Sequence, residues 1–208
     1  TGRPLVDSPS DFGFRTAAPA IPETLDDLAA DFQTHWSTQR LMRRILMTRI
    51  YQQSSNADAD SLSLDPNNTA LARAERRRRD FESLRDSILV GAGQIDCQYG
   101  GESVEITSPT ITPRRTLYAM INRQNLPGLF RTFDFASPDM HSPERYQTTV
   151  PQQALFLMNH SQLSSAALAA ANQVKQDRTA DVGQQVTMLF RRLLQREPSE
   201  SELDAAVA

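Results

Sequence analysis

The sequence predicts a mainly α fold, a multi-helix domain with one small β-hairpin, and three observations predict it. Apolar residues recur at helical spacing in at least five segments, whereas alternation of period two occurs in only two short ones. Helix-starting residues, among them Pro22, Ser37, Pro151 and Ser199, stand ahead of those segments. An apolar fraction of 39% against a charged fraction of 23% over 208 residues suits a globular chain with a core of its own.

The elements follow in order as one helical domain over 1–208. Residues 1–20 carry Pro4, Pro9, Gly13 and Pro19 with few periodic apolar positions, which predicts an extended arm anchored by Leu5, Val6 and Phe12. A helical part covers 22–95. Pro22 opens a first helix near 22–34 through Leu25, Leu28 and Phe32, and Ser37 caps a second carrying Leu41, Met42, Ile45 and Leu46, the two forming a hairpin hinged at His35 and Trp36. A polar loop is expected from Gln52 to Asn68, then a long helix from about Thr69 to Leu89 stopped by Gly91 and Gly93. In the region 96–125, Val104 and Ile106 alternate with polar neighbours, as do Leu117, Ala119 and Ile121, which predicts the hairpin. C-terminal helices occupy 126–208. A short one contains Leu126, Leu129, Phe130 and Phe133, and a loop rich in cap-type residues leads to Pro151. A helix to Asn159 continues or restarts at Ser161, another carries Val182, Val186, Leu189, Phe190 and Leu193, and Ser199 with Glu202 has capping-box spacing for a last one.

Charge and motif content narrow the function classes. A net charge of -3 argues against a nucleic-acid partner, and no apolar run approaches the roughly 20 residues that cross a bilayer, so no direct membrane insertion is expected. Among the basic residues only Lys175 is not arginine, a bias toward planar pairing with carboxylates. Cys97 is single, which excludes an internal disulfide and a CxxCH haem attachment. His35, His141 and His160 lie far apart without metal-ligand spacing, and no nucleophile motif is present. The expectation is therefore no metal site, no cofactor and no assigned catalytic residue. The arginines 76–79 point all around a helix among Glu75, Asp80 and Glu82, the pattern of a solvated or carboxylate-paired face.

Several local patterns match one family together. They are GRPLVDSPSDFG at 2–13, Trp36 with Ser37, Tyr51 with Ser54 and Ser55, LDPNN at 64–68, and Glu82, Arg85 and Asp86 on one helix. Arg114, Arg115, Tyr118, Arg123, Pro127, Phe133 and Asp134 continue the pattern, and Thr149, Val150, Pro151, Gln153 and Asn159 end it. The chain resembles the planctomycete cytochrome-associated domain of unknown function. Pro4 replaces the family's usual glycine, Gln52 its common arginine, and Ile21 the histidine that opens its first helix. The resemblance implies a fragment of a larger exported bacterial protein, extracytoplasmic in the periplasm or at the cell surface, with adjacent domains of the same polypeptide or a protein complex as partners.

Glu82, Arg85 and Asp86 stand at i, i+3 and i+4 and so share a helix face, with Asp11, Arg114, Arg115, Arg123 and Asp134 as candidates to meet them. One reading is an ion-pair lattice that holds arm, hairpin and helix in register. The other makes Asp86 and Asp134 an acid/base pair, which for glycoside hydrolysis needs carboxylates about 5 to 10 Å apart. The leading expectation is a non-catalytic scaffold or partner-docking module. The alternative is an accessory or catalytic domain in polysaccharide breakdown or cytochrome-linked redox.

Overall fold

A computed structural model describes residues 4–6, 8–11, 15–176 and 179–207. Gly2, Phe12 and Gly13 of the N-terminal motif lie outside the described residues. Helix accounts for 49% of the chain, and the described residues contain no sheet. Two compact units are present, residues 1–78 and 79–208.

In the first unit, Leu5 and Val6 of the arm are half-buried. Helix α1 (Pro22–His35) starts on a proline and ends where Trp36 takes a left-handed conformation, its N–H donating to Phe32 O at 2.7 Å. The Phe32 and Trp36 rings lie 5.5 Å apart across that turn. Helix α2 (Thr38–Leu46) is capped as expected, Ser37 Oγ accepting from Arg40 N. Ion pairs close this helical hairpin: Arg40 meets Asp31 at 2.9 Å, and Arg44 meets Asp27 at 2.6 Å and Asp31 at 3.3 Å. The hydrogen bond from Arg40 holds the Asp31 carboxyl below the usual carboxylate range. Helix α3 (Arg49–Gln52) follows.

Two expectations fail in this unit, both for local polar reasons. The loop 52–68 contains helix α4 (Ala59–Leu64), started by Asp58, whose Oδ1 accepts from Ser61 N at 2.6 Å. It lacks an apolar stripe because Leu62 and Leu64 are exposed. The long helix from Thr69 does not form over its first half. Asp65 accepts from the backbone N–H groups of Thr69 and Ala70 at 2.9 Å each, and buried Asn68 binds Arg73 N and O. Ser54 O takes the Ala74 N–H, and Leu71 is buried with a φ of 52°. The donors a helix would use are thus already engaged, and the helix-favouring composition of this stretch is overridden.

In the second unit, helix α5 (Phe81–Gly91) begins only where Asp80 caps it, accepting from Ser83 N at 2.7 Å. Burial raises the Asp80 pKa, but the hydrogen bonds from Ser83 outweigh it and leave the carboxyl below its ordinary value. The predicted stop is present: Gly93 takes a φ of 65°, and Gln94 N closes back onto Leu89 O at 2.9 Å. Helix α6 (Gly128–Thr132) and helix α7 (Pro151–Asn159) bring Phe130 and Phe156 to Phe81. Phe81, Ile106, Leu126 and Phe130 form the core there, surrounded by Phe133, Phe135 and Phe156. Edge-on and tilted ring contacts of 4.9 to 6.3 Å hold the cluster together.

Helix α8 (Ser161–Lys175) restarts rather than continues α7, because extended His160 interrupts the helix and its ring Nδ1 accepts from Gln162 N. Its stripe of Gln162, Ala166, Ala170 and Val174 is buried. Helix α9 (Val182–Leu194) has a capping box between Asp181 and Gln184 that the sequence reading did not single out. Helix α9 comes close to α5 at Gly91, where a Cβ would push against the tip of the Leu193 side chain.

Helix α10 (Glu200–Val207) has the expected box, with Ser199 N donating to Glu202 Oε2 at 2.9 Å and Glu202 N to Ser199 Oγ at 3.3 Å. Arg196 adds two bonds to the same carboxylate, at 2.6 and 2.7 Å, and is the main reason its pKa falls to about 2 from an ordinary 4.5. A depressed carboxyl pKa contributes stability that is present above the unfolded value and disappears as pH falls toward the folded one. Amide protection factors in α10, taken relative to intrinsic exchange at each pH, are therefore expected to fall between about pH 4.5 and pH 2, and Glu202→Gln to remove that pH dependence. Protection factors that stay constant across the window would refute the linkage.

The expected hairpin is absent. Residues 96–121 make only two isolated parallel bridges, Asp96 with Arg114 and Val104 with Ala119, and Thr116–Tyr118 is a 3-10 turn. Val104 exchanges backbone bonds with Tyr118 and Met120, but the pairing goes no further, and carbonyls of the connecting stretch from Ile106 to Arg114 are bound by side chains.

Candidate functional site

Those carbonyls define the site. Gln162, at the start of α8, points its amide nitrogen at Ile106 O (3.1 Å), Ser108 O and Thr110 O (3.3 Å). Arg85, in the middle of α5, donates to Thr112 O, to Arg114 O at 2.9 Å and to Thr116 Oγ1 at 3.2 Å. The alternate carbonyls from Ile106 to Arg114 are thus read in sequence by two buried side chains, both 6% exposed. A strand presents every second carbonyl on the same edge, so one amide and one planar guanidinium can do what a neighbouring strand would have done.

Asp86 finishes the clamp from the next position on α5. Its carboxylate accepts from Thr116 N at 2.7 Å, Thr116 Oγ1 at 2.8 Å and Arg115 Nε at 3.2 Å. Thr116 is itself buried. Arg85 carries no ion pair to a carboxylate, and burial presses its pKa below the ordinary value while the neighbouring Asp86 charge works the other way. Its Nε has no hydrogen-bond partner, and the side chain borders an apolar crevice of about 20 Å³ with Phe81, Leu84 and Leu163. That is space for about one water molecule, not for a substrate.

The structure distributes the other predicted residues differently. Arg114 lies over the Tyr118 ring at 4.2 Å, donates to Gln98 O and Gly100 O, and sits 3.6 Å from Asp96. Glu82 pairs with Arg145 at 2.8 Å, a contact that raises the Arg145 pKa. Arg123 meets exposed Asp139 at 3.3 Å. Asp134, with a φ of 56°, accepts from Thr148 N and Oγ1 at 2.7 and 2.8 Å and fastens the loop after α6. Asp11 lies in the first unit, where it accepts from Ser8 Oγ. So Arg85, Asp86 and Arg115 converge with the backbone of Arg114, whereas Glu82, Arg123, Asp134 and Asp11 each serve separate contacts.

Sequence reasoning missed Gln162, Thr112 and Thr116. Gln162 had a legible signal: it stands four, eight and twelve residues before Ala166, Ala170 and Val174, a polar residue on the buried stripe of its helix. Among the described residues no group of three or more His, Cys, Asp or Glu side chains is placed to hold a metal ion, and no helix is long and apolar enough to cross a membrane. Comparison with known proteins returns one family model, described as a protein of unknown function (DUF1553, PSD1), which matches residues 1–208. No curated protein and no solved structure matches the chain.

Proposed function

We propose that this chain, which belongs to the DUF1553 family of proteins of unknown function, is a non-catalytic helical scaffold or partner-docking module. In this reading it forms part of a larger exported bacterial protein, and its partners are adjacent domains or a protein complex. The observation that carries the reading is the use made of Arg85, Asp86 and Gln162. All but the Arg85 Nε of their donating nitrogens, and both Asp86 oxygens, hold the stretch 106–116 against α5 and α8. A catalytic acid and base must reach one substrate together, whereas Asp86 is turned to Thr116 and Asp134 to Thr148, each in a separate backbone contact.

Asp86→Ala tests this. Removing an acceptor of two threonine bonds and one arginine contact is expected to lower unfolding free energy by about 2 kcal/mol, since bonds to a charged group are worth roughly 1.5 to 3. Amides of 104–119 should lose exchange protection with it. A loss under about 0.5 kcal/mol would place Asp86 in the range of an exposed pair and count against the scaffold reading.

A further inference from the structure

Helix α2 keeps Leu41 half-buried and pairs two of its arginines with α1, yet it leaves several large apolar side chains exposed. The side of α2 toward α1 carries Arg40 and Arg44, whose ion pairs leave the Asp31 side chain only 9% exposed. Met42 (63% exposed) and Leu46 on α2 and Met47 (72% exposed) at its C-cap are turned to water, with Arg43 between them. Positions 42 and 46, and 43 and 47, are one turn apart, so these four side chains form one continuous patch. Trp36, 77% exposed, stands at the hinge. Between Thr38 and Gln52 there are four arginines and no acidic residue, and α1 engages only two of the four. Exposed apolar side chains grouped beside two arginines that α1 leaves unpaired make a surface suited to a partner.

Resting on the docking-module reading above, we propose that this outward face of α2 binds an acidic amphipathic helix of a partner protein. Methionines supply an adaptable apolar surface for such a helix. Arg43 and Arg49 supply charges that acidic flanks would match. A second copy of this chain fits poorly, because it would bring an arginine-only surface against itself.

The single tryptophan, Trp36, provides the readout. Titration with a synthetic amphipathic peptide bearing a leucine stripe flanked by glutamates is expected to shift its emission to the blue and to saturate. Arg43→Glu with Arg49→Glu should weaken binding on the order of tenfold for each reversed charge and transfer the preference to a lysine-flanked peptide. Met42→Ser with Met47→Ser should abolish the response while leaving the helical circular dichroism intact. Four results would overturn the proposal: no response to the glutamate-flanked peptide, equal response to the lysine-flanked one, response only to vesicles of anionic phospholipid, or an emission shift that follows protein concentration alone. Any of these leaves the scaffold reading to the Asp86→Ala measurement, which involves residues of the other unit only.

Discussion

Arg85→Ala is expected to be the most damaging single substitution in the second unit, lowering unfolding free energy by about 4 kcal/mol. The change strips donors from Thr112 O, Arg114 O and Thr116 Oγ1 at once. Each unsatisfied buried acceptor costs roughly 1 to 3 kcal/mol, and the lost side chain also enlarges the crevice beside Phe81 and Leu84. Arg85→Met separates the two contributions. It retains most of the packing volume and removes the charge, whose burial depresses the arginine pKa and is itself a cost. A loss of about 2 kcal/mol is expected for Met, less than for Ala. Denaturant titration at unchanged slope measures both, and a stabilising Met variant would show that the buried charge costs more than its three bonds return.

Gln162→Glu is expected to produce the second largest effect and one that depends on pH. The amide nitrogen points toward three carbonyl oxygens, and a carboxylate in its place would direct negative charge at all three. Burial and those acceptors raise the pKa of the introduced carboxyl above its unfolded value of about 4.3. A raised folded pKa means that the variant approaches the wild type below the unfolded value and falls away from it as pH rises through the folded one. The expected deficit at neutral pH is roughly 3 kcal/mol, shrinking on acidification. Gln162→Ala, with no titratable group, should show a loss of about 2 kcal/mol that does not vary with pH. Equal pH profiles for the two variants would show that Gln162 does not face the carbonyls in solution.

Much of the helical order was legible because the forces that set it are local. The hairpin of α1 and α2, the glycine stop after α5 and the Ser199–Glu202 box all follow from caps and stripes within a few residues of where they act. The failures share a different cause. Helix over Thr69–Arg79 and a hairpin of Val104 and Ile106 with Leu117, Ala119 and Ile121 were reasonable by propensity, yet Asp65 and Asn68 claim the donors of the first, and Gln162 and Arg85 hold Ile106 and the stretch between the expected strands. In the second case the competing groups stand about 30 and 50 residues away along the chain, beyond the reach of any period count.

The candidate site divides in the same way. The i, i+3, i+4 spacing was enough to put Glu82, Arg85 and Asp86 on one turn of helix, and Gln162 could have been read from its place on an apolar stripe. Whether those side chains would meet carboxylates, substrate or backbone was decided only by what the fold brings opposite them. Sequence by itself determines where helices begin and which faces are apolar, because capping and amphipathicity are satisfied within a turn or two. Only the tertiary structure decides that Arg85 faces Thr112, Arg114 and Thr116 rather than an acid, and that Met42 and Met47 face water rather than α1. A buried hydrogen-bonding group binds the complementary atom that packing places beside it, and spacing along the chain does not encode that neighbour.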